Sequence, residues 1–253
     1  MIIIIMFVRF LLKFRYVMMT KETLRPFTLI MMYFLFHSMS GLTPIRPNMV
    51  NVCGALGMPD DGKHIVFMVG IVTFVTSGLV IGLIKILGKR KLAISAMLGS
   101  GISCMAISIY ATNLPKSVFS YDASTFPTEV SYTPLVFFYA LTIFTGFGIP
   151  WVLLGEVFPF RSRAAAQGFA AAGNYFVTFF GSKSFISFER NYQLSGAFAI
   201  YAAFSFAGTI YLYFFLPETE GKTLQEIELY YNGDFRIFAD DPFINFFKRF
   251  KKQ

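Results

Sequence analysis

The stretch IVFMVGIVTFVTSGLVIGLIKIL, residues 65–87, is an almost unbroken apolar run that carries one charge, Lys85. A helix needs about 20 mostly apolar residues to cross the hydrocarbon core of a bilayer, and this run is long enough. Within lipid a helix also satisfies its own backbone hydrogen bonds, which an irregular segment cannot do. The run therefore predicts a membrane-spanning α-helix.

Five further stretches meet the same standard. Hydrophobic residues make up 55% of the chain and charged residues 14%, whereas an ordinary soluble domain has about 25% charged residues. The sequence thus predicts an all-α membrane protein with six transmembrane helices. They lie at residues 27–53, 65–87, 92–111, 135–157, 164–185 and 196–216.

Small residues recur inside these spans, as in Gly78-x-x-x-Gly82 and in the alanine-rich run 164–173. Small side chains let helices approach closely in lipid, so we expect a packed bundle. Cys53 and Cys104 both fall inside apolar runs. They are expected to be small buried side chains and not parts of a disulfide framework.

The net charge of +8 comes from short clusters between the spans, so nucleic acid is excluded as a partner and membrane lipid is expected. Alternate loops differ strongly in basic residues, and the positive-inside rule places both termini and the richer set of loops in the cytoplasm. The loop 112–134 is then extracellular. The cytoplasmic set is Lys21, Arg25, Lys89, Arg90, Lys91, Arg161, Arg163 and Lys222 onward, and the other set is Lys63, Lys116 and Arg190.

The two ends of the chain differ from the central segment 20–221. Residues 1–19 contain an apolar run that is too short to span, and they are either an interfacial helix or a stretch unrelated to the fold, such as a gene-model artefact. In the cytoplasmic segment 222–253, Thr223 and Glu226 have the spacing of a capping box, which predicts a helix start. The basic aromatic tail 243–252 is either an anchor at an anionic leaflet or a solvated tail.

Enzyme function is not indicated, because neither a catalytic triad, a phosphate-binding loop nor a metal-binding helix motif can be found around the two histidines, His37 and His64. No metal and no cofactor are predicted. Strongly polar residues within spans are costly, so each is a candidate for function or for structural pairing.

The first span is interrupted by SGLTPIRP, residues 40–47, whose glycine and two prolines break helical hydrogen bonds. Unwound backbone at membrane depth lines a cavity or is buried in protein, and discontinuous helices mark binding sites in transporters. The alternative is a proline kink packed against neighbouring helices. Arg46 in this stretch either reaches outward to the interface or faces the cavity.

The fourth span has a similar interruption, GFGIPW at residues 146–151, which presents the only tryptophan of the chain. The flat face of Trp151 could stack on the C–H face of a sugar ring, or it could simply pack beside a kink. In the fifth span Asn174 and Thr178 share one helical face, with Gln167 close to it. Hydrogen bonding between helices is the other explanation for these polar residues.

Charges of both signs are predicted at the inner ends of the spans, where Glu156 accompanies Arg163, Lys89 and Arg90. Such a network can hold one conformation and open in another. The positive-inside rule accounts for the cations but not for Glu156. We therefore expect Glu156 to pair with Arg163 or Arg90.

Four motifs follow one another along the chain: Gly88-Lys-Arg90, Pro150-Trp151, Gly155-Glu-Val-Phe-Pro159 with Arg163, and Pro217-Glu-Thr-Glu-Gly221-Lys-Thr-Leu-Gln-Glu226. In composition and order they resemble the motifs of the sugar porter branch of the major facilitator superfamily. The resemblance covers residues 20–228, as the last six helices of that twelve-helix fold. Its finer pattern at residues 40–47 is similar to that of insect facilitated trehalose transporter-like proteins.

The resemblance implies a sugar site at the midplane between two half-bundles, and a multi-pass protein of the plasma membrane. The substrate contacts it implies are His37, Ser38, Thr43, Gly148, Pro150, Trp151, Asn174 and Thr178.

Some residues depart from the family pattern. The family has glutamines at positions 37 and 38 and an asparagine at position 43, so amides that usually bind hydroxyl groups are replaced by His37, Ser38 and Thr43. Lys85 stands where an aspartate is usual and Glu220 where a lysine is usual, while Gly148 replaces a proline. These changes weaken the case for an ordinary hexose as the substrate, and they imply a cytoplasmic network with different charge pairs.

By this resemblance the chain is the C-terminal half-bundle of a major facilitator fold. Its intact form is expected to move trehalose, a hexose or a related polyol by alternating access. It would need the missing N-terminal six-helix half or a second chain as its partner. The alternative is a truncated half that transports nothing itself and pairs with or regulates a full-length carrier.

Overall fold

The computed structural model describes residues 20–59, 61–114 and 130–232. Within these ranges the regular secondary structure is entirely helical, as predicted. The helices are α1 (Lys21–Ser38), α2 (Leu42–Ile45), α3 (Met49–Ala55), α4 (Gly62–Leu87), α5 (Lys89–Thr112), α6 (Thr133–Gly146), α7 (Ile149–Glu156), α8 (Arg163–Phe215) and α9 (Leu224–Asn232), with a 3-10 turn at Arg46–Asn48.

Four segments of the described chain are long and apolar enough to cross a membrane. They are α4, α5, the α6–α7 segment and α8. The α1 helix and the α2–α3 segment meet at an angle of 53° and make a fifth crossing if they are counted as one broken span. The molecule is therefore a multi-helix membrane protein.

The predicted break in the first span is present. Helix α1 ends at Ser38, and Gly41 adopts φ 106° and ψ −55° before the chain resumes as short helical pieces through the prolines. The Cys104 thiol donates to the carbonyl oxygen of Ser40 at 3.4 Å, which satisfies one backbone group that the break leaves unpaired. Both cysteines are free and buried, as predicted.

The connection between the predicted spans 164–185 and 196–216 is helical except for a sharp break at Gln193. A straight helix of the 53 residues of α8 would be about 80 Å long, far more than a bilayer core needs. Gln193 has φ 64° and ψ 176°, and the rings of Phe188 and Tyr201 on either side of it lie 6.2 Å apart. Thirteen residues of straight helix would separate these rings by about 20 Å, so the chain turns back at Gln193.

Helices α5 and α8 form the centre of the bundle, and α1 packs on α8. In the run 164–173, Ala166 and Ala170 are fully buried, as the close-packing prediction requires. The same prediction is wrong for Gly78 and Gly82, since a methyl group added at either would meet nothing within 4 Å. Helix α4 packs through another face, which carries Thr76, Val80 and Ile84.

The capping box is confirmed at the start of α9. The Glu226 carboxylate accepts the backbone N–H of Thr223 at 2.7 Å and its hydroxyl at 3.0 Å, and the Glu226 N–H donates to Thr223 Oγ1 at 3.3 Å. The two bonds that the carboxylate accepts, the one from the backbone N–H first, lower the pKa of the Glu226 carboxyl. Helix α9 then packs against α1, where Arg25 Nη1 donates to the carbonyl oxygen of Tyr231 at 3.0 Å.

The predictions for residues 1–19 and for the tail 243–252 lie outside the described residues, as does most of the predicted extracellular loop.

Candidate functional site

The site is built on a helix break between α6 and α7. Gly148 has left-handed backbone angles, φ 56° and ψ 23°, which a glycine adopts without the steric cost of a side chain. Pro150 lies in the first turn of α7, where its lack of an N–H costs no hydrogen bond. Trp151 follows the break directly in the first turn of α7, and its side chain is 42% exposed.

Aromatic rings surround Trp151 on two sides. The Phe34 ring meets it edge-on with centroids 5.0 Å apart, and the Tyr175 ring lies at 6.3 Å. Phe34 is buried and fixes the indole, whereas Tyr175 is 68% exposed. Trp151 and Tyr175 thus form a partly open aromatic surface of the kind on which sugar rings stack.

A cavity of about 500 Å³ runs beside this surface between α4 and the α6–α7 segment. Its size falls within the range of small-molecule pockets, roughly 300–1,000 Å³. One end is aromatic and the other charged, a combination that suits a ligand with apolar faces and hydroxyl edges. The lining residues are Ser77, Val80, Ile81, Ile84, Lys85, Lys89, Phe147, Gly148, Trp151, Val152, Glu156 and Glu220.

Ser77 lines this cavity and was not among the residues predicted from the sequence. Its hydroxyl lies 2.9 Å from the carbonyl oxygen of Thr73 and 3.3 Å from that of Gly146, and it donates to them. The second acceptor is a carbonyl group at the break, so Ser77 ties α4 to the broken span. A serine one turn beyond Thr73 on a spanning helix gives no local sign of this role.

The predicted residues on α1 and α8 meet in a separate polar cluster. The Ser38 hydroxyl donates to Asn174 Oδ1 at 3.0 Å and lies 3.3 Å from the Thr178 hydroxyl. Ser38 and Asn174 are buried. These groups satisfy one another across the helix pair, which agrees with hydrogen bonding between helices.

The remaining predicted residues of the broken spans are spread along α1 and α2. His37 is half-buried and packs edge-on against Tyr33, and Thr43 is half-buried in α2. Gln167 does not join the Asn174 face but donates to the carbonyl oxygen of Leu154 at 3.0 Å. This bond pairs a carbonyl group at the C-terminal end of α7, where helices leave carbonyls unpaired.

At the charged end of the cavity Lys89 bridges two carboxylates. Its Nζ lies 2.6 Å from Glu156 and 2.8 Å from Glu220, and its own side chain is 9% exposed. Glu156 therefore pairs with Lys89 and not with either arginine that was expected to hold it. Arg163 instead donates to the carbonyl oxygen of Phe158, and Arg90 donates to that of Tyr213 at 2.7 Å.

Glu218 is a structural residue that the sequence prediction missed. Its carboxylate accepts the backbone N–H groups of Lys89 at 3.1 Å and Arg90 at 3.2 Å, so it caps the positive end of α5. The segment after α8 is held in this way against the start of α5. Two of the motifs noted in the sequence, residues 88–90 and 217–221, are thus in direct contact.

Comparison with known proteins agrees with this architecture. The family model described as "Sugar (and other) transporter" matches residues 12–231. A facilitated trehalose transporter from Drosophila mojavensis is 29% identical over 83% of the chain and 24% of the relative. The trehalose transporter 1 of Drosophila melanogaster is 30% identical over 82% and 24%, and an Anopheles gambiae facilitated trehalose transporter is 27% identical over 83% and 26%.

The chain spans about a quarter of the length of these relatives. The matching segment extends beyond α1 at one end and reaches α9 at the other, so it includes the helix breaks and the charged cluster described above. The chain belongs to the sugar transporter family.

Proposed function

We propose that this chain supplies one six-helix half-bundle of a carrier that moves trehalose, a hexose or a related polyol across the membrane by alternating access. The cavity beside Trp151 is the observation that carries the proposal. It joins an exposed aromatic face to carboxylate and ammonium groups, and sugars offer C–H faces and hydroxyls that match both. The names of the trehalose-transporting relatives support the same substrate class.

Six crossings follow from the described helices if two conditions hold. The α1 to α3 segment must count as one broken span, and the turn at Gln193 must divide α8 into two spans. The second piece, residues 194–215, would be about 33 Å long, which is enough for the hydrocarbon core. With α4, α5 and the α6–α7 segment this makes the six-helix half-bundle.

The charged cluster then has the position of a conformational latch. Lys89 joins the start of α5 to the end of α7 and to the segment after α8, so movement of α7 would stretch the bond to Glu156. Arg163 and Arg90 hold neighbouring backbone carbonyls and would act by positioning those segments. In this proposal, breaking the Lys89 bridge opens the cytoplasmic end of the cavity.

A second six-helix unit completes the proposed carrier. Helix α4 and the Tyr175 side of α8 expose large apolar and aromatic side chains, including Phe74 and Phe176. A midplane site between two half-bundles requires a partner on the face that carries Trp151 and Tyr175. We place the assembled carrier in the plasma membrane with both termini of this chain in the cytoplasm.

Binding can be tested directly because Trp151 is the only tryptophan in the chain. We expect trehalose to change the intrinsic tryptophan emission of the purified protein in lipid nanodiscs in a saturable way. A non-carbohydrate osmolyte at equal concentration should leave the emission unchanged. Identical responses to trehalose and to this control would contradict the proposed site.

Transport requires the partner, so the second assay co-expresses this chain with the N-terminal half of a trehalose transporter. We expect saturable trehalose uptake that Trp151→Ala weakens by about 1–3 kcal/mol of binding free energy, because a stacking face is lost. Trp151→Phe retains an aromatic ring, so its affinity for trehalose should lie between that of the unmodified chain and that of Trp151→Ala. Sugar binding to Trp151 without uptake under any pairing would favour a half-protein that binds or regulates other carriers.

A further inference from the structure

A second cavity, of about 470 Å³, lies away from the cavity at Trp151. It is bounded by the first turns of α1, the last turns of α8 and the short helix α9. One basic side chain accompanies a wall that is otherwise mostly aromatic and aliphatic. The lining residues are Leu24, Arg25, Thr28, Leu29, Tyr211, Phe215, Tyr230 and Tyr231.

Arg25 provides the charge of this groove. Its side chain is exposed, and its Nη1 donates to the carbonyl oxygen of Tyr231 at 3.0 Å, which fixes the guanidinium against α9. A guanidinium has five N–H donors, so several remain for an anion at the groove. Arginine binds phosphate oxygens well because its planar donors match their geometry.

The apolar wall suits an acyl chain. The Tyr211 and Phe215 rings stack with centroids 4.8 Å apart and an interplanar angle of 22°. Leu24 is 52% exposed and Phe215 46% exposed beside them. The hydroxyl of Thr28 donates to the carbonyl oxygen of Leu24 at 2.9 Å and is thereby paired within α1.

The location of the groove selects a lipid as its occupant. It opens where α1 begins and α8 ends, at the end of the bundle that carries Lys89, Arg90 and Arg163. Under the proposed orientation, on which this inference rests, that end faces the cytoplasmic leaflet, whose anionic lipids attract basic residues. We propose that the groove binds an anionic phospholipid, with its phosphate at Arg25 and an acyl chain along Tyr211 and Phe215.

Native mass spectrometry of the full chain in detergent tests this site without any transport assay. The protein is mixed with equal amounts of phosphatidylserine and phosphatidylcholine, and the ratio of the two bound lipids is measured. We expect phosphatidylserine to be preferred about five-fold, since one basic residue near a membrane surface is worth about 1 kcal/mol. Glycerophosphoserine, which lacks acyl chains, should neither bind nor displace the lipid.

Variants separate the two parts of the site. Arg25→Gln should abolish the preference, Arg25→Lys should retain most of it, and Thr28→Phe should reduce binding of both lipids by filling the groove. Arg190→Gln is the matched control, because it removes an exposed arginine beside the break at Gln193, away from the groove residues Tyr211 and Phe215. Monodisperse elution of each variant shows that it is folded.

Three results would overturn the proposal. The first is a wild-type ratio of one, and the second is an equal loss of preference in Arg25→Gln and Arg190→Gln. The third is a preference that appears only after deletion of residues 233–253, which would assign the groove to this part of the chain itself. None of these results depends on sugar transport, so the lipid site and the proposed carrier function can fail separately.

Discussion

At the residue scale, the local sequence predicted which residues lie at helix breaks or in ion pairs. It did not predict which residues contact them. The glycine and proline residues around Trp151 mark a helix break wherever they occur in a span, and the structure has that break at Gly148. The partner of Glu156 was not predictable, because several cations share that end of the bundle. The choice of Lys89 depends on where Glu220 lies after α8, and no local pattern reveals that position.

Lys89 is predicted to stabilise the charged cluster by compensating two carboxylates at once. Lys89→Met would leave Glu156 and Glu220 without the ammonium group that both contact. The side chain of Lys89 is largely buried, but the two carboxylates are about one-third exposed, so solvent screening reduces the loss. We expect a decrease of about 1–3 kcal/mol in the free energy of unfolding, measured by denaturant titration in detergent.

The matched control is Lys91→Met, two residues along the same helix and exposed. It removes an equal charge and should change stability by less than about 0.5 kcal/mol. Combining Lys89→Met with Glu156→Gln and Glu220→Gln should recover most of the loss. Equal effects of the two lysine variants would mean that the bridge contributes nothing specific.

At the scale of the helices, the sequence predicted positions within spans more accurately than their ends. The four apolar stretches outside α8 correspond to observed helices because lipid burial imposes a minimum length, which hydropathy reveals. The polar residues between the spans 164–185 and 196–216 predicted a connection there, but the stretch 186–192 contains neither glycine nor proline, so no local signal fixes the reversal at Gln193. The contact between residues 88–90 and 217–221 joins distant segments, and only the fold brings them together.

Gly88 is predicted to be required at the junction of α4 and α5. Its φ of 80° with ψ of 157° lies in a region that side chains strongly disfavour, and a methyl group there would be 2.6 Å from Glu218 Oε2. Gly88→Ala should therefore strain the backbone and displace the carboxylate that caps α5. We expect a loss of about 1–3 kcal/mol of stability, measured as a lower midpoint of thermal unfolding.

Gly82→Ala provides the comparison within α4, because its added methyl group meets nothing within 4 Å. Alanine is the better helix former, so this change should be neutral or should stabilise by up to about 1 kcal/mol. If alanine were poorly tolerated throughout this region, Gly82→Ala and Gly88→Ala would lower the midpoint of thermal unfolding by the same amount. That outcome would remove the specific role assigned to Gly88.

At the scale of the whole molecule, composition predicted a helical membrane bundle because few other structures bury backbone polar groups in lipid. The arrangement of the helices came from the three-dimensional contacts, which place α5 and α8 at the centre. Close packing was predicted for both Gly78-x-x-x-Gly82 and the run 164–173, yet only the latter is packed within the described chain. Small residues permit close approach but do not determine which helix approaches.

The number of crossings leads to a prediction about the whole chain. If α8 crosses the membrane once before it reverses at Gln193, then three spans separate Lys91 from Tyr192, and the two residues lie on opposite sides of the membrane. The three spans are α5, the α6–α7 segment and the first part of α8. Tyr192 is 60% exposed beside the turn, and Lys91 is exposed near the start of α5. Cysteine at position 192 should react with a membrane-impermeant maleimide on intact cells, whereas cysteine at position 91 should react only after permeabilisation.

The native Cys53 and Cys104 are 1% and 0% exposed, so the unmodified chain provides a low background. Labelling of both positions from the same side would contradict the six-helix half-bundle, because an odd number of spans must separate residues that face opposite compartments.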